Sequence, residues 1–149
     1  MTITGDAIND LIRANVPAAM HGMIPPPCLL DMQGECLAYE DGVRMSMRFP
    51  VLPRYRNPMG NMQGGFIVAA LDNTLGPFSY LIAPPSVTAM LNTQYLRPVS
   101  PDASHIVCEA RLVARTRNVL HLAAEARGED GRVFVLCQAT QQILPPREA

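Results

Sequence analysis

The stretch GGFIVAALDNTLGPFSYLI, residues Gly64 to Ile82, decides the fold. Ile67, Leu71, Leu75, Phe78 and Ile82 recur at helical spacing. The other faces are mostly apolar as well, with Phe66, Val68, Ala69, Ala70 and Leu81. A helix that is apolar all round is a buried helix. Pro77 lies inside it and removes the N–H that would bond the Asn73 carbonyl, so a kink or an early stop is expected there. Pro84 and Pro85 end the segment.

Such a helix needs a layer to cover it, and the flanking sequence supplies strands. Upstream, Val43 to Val51 alternates, with Val43, Met45, Met47, Phe49 and Val51 on one side and Arg44, Ser46 and Arg48 on the other. Pro53 ends this strand, and a loop rich in turn formers fills 54–62. Downstream come four strand-like runs, Val87–Val99, His105–Ala114, Val119–Arg127 and Arg132–Leu144. Short turns at Ser100-Pro101-Asp102, Thr116-Arg117-Asn118 and Gly128 to Gly131 predict an antiparallel meander. Nearer the start, Ile8, Leu11, Ile12 and Val16 mark a short amphipathic helix within 6–16, and Pro25-Pro26-Pro27 reads as a stiff extended linker. One long buried helix packed on a mainly antiparallel sheet is an α+β arrangement. The expected organisation is a single domain over 1–149, with an N-terminal helix and Pro-rich linker in 1–27 and the core in 28–149.

Composition narrows the function. A chain of 149 residues that is 48% apolar can build one core. Its formal net charge is -1, and it has no Trp, four Tyr and four Phe, which predicts no nucleic-acid partner. Asp6, Asp10 and Arg13 interrupt the start where a signal peptide needs an apolar run. The longest uncharged run, Asn73 to Leu96, is broken by Gly76, Pro77, Pro84 and Pro85, so no membrane span is expected. A cytoplasmic protein is the expectation, with Cys28, Cys36, Cys108 and Cys137 reduced and Cys108 and Cys137 buried in strands. No cysteine spacing suits zinc. Neither a GxSxG elbow, a P-loop nor a dinucleotide fingerprint is present.

The chemistry points to the long helix. Asp72 lies in its middle, where a carboxylate must be paired, hydrogen-bonded or open to a cavity. A bond to nearby backbone or a neighbouring Arg would satisfy that need without any catalytic role. Gln63-Gly64-Gly65 opens the helix, so free amides there offer donors to a negative oxygen, although two glycines also serve tight helix entry. Asn57 and Gly60 lie in the preceding loop, where Asn commonly makes a turn. Thr88 begins the next strand and offers a hydroxyl. His21, His105 and His121 have no partner spaced for metal or triad work.

Taken together, Asn57-Pro58-Met59-Gly60, Gln63-Gly64-Gly65, Asp72-Asn73 and the run Thr88 to Pro98 with Tyr95-Leu96-Arg97-Pro98 resemble the acyl-CoA thioesterases of the hotdog superfamily, in the branch related to the phenylacetate-pathway enzyme. The resemblance covers residues 40–144. It implies that Asp72 attacks the thioester carbonyl or activates water. The amide of Gly64, with that of Gly65, polarises the carbonyl, Asn57 holds water or substrate, and Thr88 stands near the nucleophilic water. The same resemblance implies a homodimer with shared active sites, Asp72 working opposite Asn57 and Gly64 of the partner subunit, and pairing of dimers into tetramers. No cofactor is implied beyond the CoA carried by the substrate, whose phosphates need basic partners. Arg117 resembles the family's position for that role, ahead of Arg115 and Arg97, all three being equally readable as solvated surface charge.

Two departures stand out. The family usually has His where Gln63 stands, and Gln cannot carry a proton. Pro77 falls where the family helix normally continues, so an altered acyl pocket is expected. The competing readings are a non-catalytic acyl-CoA-binding protein on the same fold, a hotdog dehydratase and a purely structural oligomer. Asp72 argues against the first and the absence of His near 63–72 against the second, while a structural oligomer leaves Asp72 and the paired glycines without purpose.

Overall fold

The computed structural model describes residues 2–146. The ends of the domain expected over 1–149, residue 1 and residues 147–149, lie outside the described residues. In chain order the elements are β1 (Thr2–Ile3), α1 (Ala7–Asn15), a 3-10 turn (Ala18–Met23), α2 (Pro27–Asp31), β2 (Glu35–Glu40), β3 (Arg44–Pro50), a second 3-10 turn (Pro53–Tyr55), α3 (Gly64–Ile82), β4 (Ser86–Tyr95), β5 (His105–Arg115), β6 (Val119–Arg127) and β7 (Val133–Ile143). The strands form one seven-stranded sheet in the order β1-β2-β3-β5-β6-β7-β4, and every pair is antiparallel. Helix α3 lies on its inner face.

Strand alternation builds that face. Met45, Met47 and Phe49 of β3 stand opposite Ala110, Cys108 and Ile106 of β5, and all six are buried. They meet the α3 residues Ile67, Leu71, Leu75 and Phe78, each at most 2% exposed. The hairpin between β2 and β3 turns at Gly42 with φ +70°, a conformation that favours glycine.

The predicted meander is corrected at its first step. Strand β4 is not beside β5. It pairs with β7, from Ser86 opposite Ile143 to Tyr95 opposite Val135, and forms a free edge of the sheet. Helix α3 carries the chain to that far edge, and residues 96–104 bring it back to place β5 beside β3. Val99, fully buried, anchors the return by accepting a hydrogen bond from Met62 N–H at 3.0 Å. Ser100-Pro101-Asp102 is therefore part of a crossing, not a hairpin turn.

Helix α3 runs through Pro77 to Ile82, so neither the early stop nor all-round burial is found. Its packed side holds Ile67, Ala70, Leu71, Thr74, Leu75, Phe78 and Ser79, whereas Gly65 and Asp72 on the opposite side are exposed. The buried hydroxyls are satisfied: Thr74 Oγ1 donates to the Ala70 carbonyl at 2.9 Å and Ser79 Oγ to the Gly76 carbonyl at 2.7 Å.

The N-terminal segment packs on the same core. Ile8, Ile12, Val16 and Ile24 are buried in it. Arg13 bonds Asp10 at 2.9 Å and the Ile24 carbonyl, tying α1 to the chain that follows. The extended linker expected at Pro25–Pro27 is shorter than that, because Pro27 opens α2, a position in which proline's fixed φ suits a helix start.

Candidate active site

Asp72 projects from the uncovered side of α3 and takes part in no ion pair among the described residues. Its partner is Thr88, whose Oγ1 donates to Asp72 Oδ1 at 3.1 Å. Thr88 is held at the edge of the sheet by a register shift: Thr88 stands opposite Gln141, the next pair is Met90 with Thr140, and Ala89 is the extra residue. Bulges of this kind re-aim a side chain. Gln141 Nε2 in turn lies 3.1 Å from Thr88 Oγ1. Gln141 is 1% exposed and was absent from the residues singled out in the sequence. Its signal was there: inward positions of β7 hold Val135, Cys137 and Ala139, and Gln141 continues that alternation with an amide.

These groups border a cleft of about 1920 Å³ between α1, the Ala18–Met23 turn, α3 and the ends of β4 and β7. Asp72, Asn73, Gly76, Pro77 and Tyr80 supply the helical wall, one face at helical spacing. Ile8, Ile12, Met20 and Met23 supply the facing apolar wall, a contribution the sequence reading did not foresee. Pro77 thus lines the cleft.

The remaining residues singled out lie elsewhere. Gly64 and Gly65 start α3, eight and seven residues before Asp72, about 12 Å away along the axis at 1.5 Å per residue. Neither amide has a backbone partner among the described residues. Gly64 lets the Tyr95 ring come close: a Cβ here would sit 2.9 Å from that half-exposed ring and push it aside, and the Tyr95 hydroxyl donates to the Gly64 carbonyl at 3.0 Å. Gln63 is the exposed residue before the helix, with φ -62° and ψ 137°, and its side chain makes no cap. The Asn57 side-chain oxygen accepts from the N–H groups of Met59 at 3.0 Å and Asn61 at 3.1 Å, so it shapes its own loop.

The three arginines differ. Arg115 donates to the Ile82 carbonyl at 3.0 Å, capping the C-terminus of α3, where a cation is favourable. Arg97 donates to the Val133 carbonyl at 2.6 Å. Arg117 alone of the three reaches the cleft.

The thiols separate by environment. Burial, together with the nearby Asp72 charge, pushes the Cys137 thiol up to about 11, and burial does the same for Cys36, also to about 11, with Glu35 adding to it. Cys108 is raised as well, by burial first. Raised thiols stay protonated at neutral pH and are poor nucleophiles, while Cys28 is exposed. Iodoacetamide at pH 7.5 is therefore expected to label Cys28 alone in the folded protein, read by peptide mass spectrometry. Fast labelling of Cys36 or Cys137 before unfolding would contradict this.

A family model described as Thioesterase superfamily matches residues 59–135. A Deinococcus radiodurans protein bearing a provisional esterase name is 28% identical over 127 residues, 75% of this chain and 79% of that protein. A conserved protein from Pseudomonas aeruginosa is 26% identical, with a TM-score of 0.74 over 86% of this chain and 100% of its own. The E. coli PaaI protein from the phenylacetic acid degradation operon shares 12% identity and a TM-score of 0.78 over 93% of this chain and 96% of its own, a likeness of fold alone. The family match spans more than half of the sequence and the helix-on-sheet architecture agrees with it: the chain belongs to the Thioesterase superfamily, in its hotdog form.

Proposed function

We infer that this chain hydrolyses acyl- or aryl-CoA thioesters, with Asp72 as the reacting carboxylate and the Gly64 and Gly65 amides of the partner subunit polarising the carbonyl. The observation that carries this is an exposed carboxylate with no ion pair among the described residues, oriented by a hydroxyl and set on an apolar cleft. Either Asp72 attacks the carbonyl carbon to give an anhydride that water then opens, or it takes a proton from the water that attacks. In both routes the C–S bond breaks, water supplies the new C–O bond, and CoA leaves as a thiolate that picks up a proton. A thiolate leaves readily, so no strong general acid is required. Gln63 in place of the family's usual His fits such chemistry.

Distance supports a dimer. Asp72 and the free amides of one chain are too far apart along α3 to meet at one carbonyl. Two copies with their uncovered α3 sides facing would bring each Asp72 to the other's helix start. The ten-residue edge β4, with Val87, Met90 and Tyr95 exposed, supports pairing there, since long open edges invite partners. Arg117, a cation lining the cleft, supports contact with a CoA phosphate.

No histidine lines the cleft among the described residues, which weighs against a dehydratase. The test is a panel of phenylacetyl-, benzoyl-, hexanoyl- and dodecanoyl-CoA with release of thiol as the readout. At least one member is expected to reach a kcat/KM of about 10⁴ M⁻¹s⁻¹ or more. Binding across the panel without turnover would leave an acyl-CoA-binding protein instead.

A further inference from the structure

Gln141 faces inward on β7 between Ala139 and Ile143, where an amide has to find hydrogen bonds. Its Nε2 and Oε1 lie 3.1 Å and 3.3 Å from Thr88 Oγ1. The same hydroxyl lies 3.1 Å from Asp72 Oδ1. A hydroxyl has one hydrogen to give. An ionised carboxylate only accepts, so that hydrogen goes to Asp72, and the Thr88 oxygen must then accept. Nε2 is the group that donates to it. Sheet register builds the pair in, because Thr88 and Gln141 are cross-strand partners.

From this geometry we propose that Gln141 is a positioning residue for thioester hydrolysis. It fixes the direction of the Thr88 hydroxyl, which then holds Asp72 through Oδ1 and leaves the other carboxylate oxygen to react. Three elements, α3, β4 and β7, thus contribute one polarised chain. The role rests on Asp72 being the reacting carboxylate.

The test uses the full chain with phenylacetyl-CoA and hexanoyl-CoA as probes. Gln141→Met keeps the shape and removes the donor; kcat should fall about tenfold with KM within about twofold. Gln141→Glu, assayed at a pH where the new carboxyl is ionised, can only accept, so it draws the Thr88 hydrogen away from Asp72 and should lower kcat further. Thr88→Val should lose a similar factor, and adding Gln141→Met to it should cost nothing more, because members of one chain do not add. Losses that multiply in the double variant, or a wild-type kcat in Gln141→Met, overturn the role. Should the Gln141 variants fail to fold, the unaltered amide still reports. One of its protons should exchange slowly in a ¹⁵N–¹H spectrum and lose that protection in Thr88→Val. No protection, or protection indifferent to Thr88→Val, overturns the role equally. Asp72→Asn separates the two levels. If it hydrolyses at the wild-type rate, the assignment of Asp72 itself falls. If it is inactive while Gln141→Met is unaffected, only the role of Gln141 falls.

Discussion

Asp72→Asn is expected to reduce kcat by at least about 10³-fold while the protein keeps its fold, a loss in the range seen when a reacting group is removed from a preorganised site. The substitution is nearly isosteric, and the side chain is exposed and makes no ion pair among the described residues. An amide oxygen can still accept from Thr88, so the local geometry has a way to persist. Surface changes of this sort usually stay within about 0.5 kcal/mol of the starting stability. Rate and stability should therefore part company: turnover of the CoA thioester panel vanishes, and the melting curve hardly moves. Unchanged hydrolysis in the variant would end the assignment of Asp72. Loss of both fold and rate would show instead that the carboxylate is structural.

Phe78→Ala should have the largest effect on stability, about 3–5 kcal/mol. Phe78 is fully buried on the packed side of α3 and meets Tyr39 edge to face, with ring centroids 6.4 Å apart at 66°. Tyr39 is itself 1% exposed, and its hydroxyl is committed to Asp41 at 2.9 Å, so the ring has little freedom to fill the void. A small domain has only about 5–15 kcal/mol to lose. Urea unfolding should show a lower midpoint with the slope preserved. A shift below about 1 kcal/mol would mean that the helix is not seated on the sheet as described.

Much of this was legible in the sequence, and the exceptions have physical causes. Strand β3, β6 and the long helix were visible because each keeps one period from end to end. Strand β2 was not, since its register shifts between Cys36 and Ala38 and the buried residues, Cys36 and Tyr39, fall three apart, which breaks the alternation. The β4–β7 pairing was hidden because a turn-like Ser100-Pro101-Asp102 looks the same in a hairpin and in a crossing. Asp72 was found by its composition contrast, but its surroundings were misjudged. An apolar helix surface was equated with a covered one, and α3 leaves one side open in the single chain. Gln141 and the N-terminal wall escaped because each becomes meaningful only after distant segments meet.

That wall has an evolutionary reading. Asp72 and Thr88 stand inside the matched stretch 59–135, whereas Ile8, Ile12, Met20 and Met23 come from chain that precedes it. Under the proposed function, bond cleavage and the size of the group admitted are written in separate parts of the gene. Drift at Ile12 or Met23 can retailor the guest while the cutting apparatus is inherited intact.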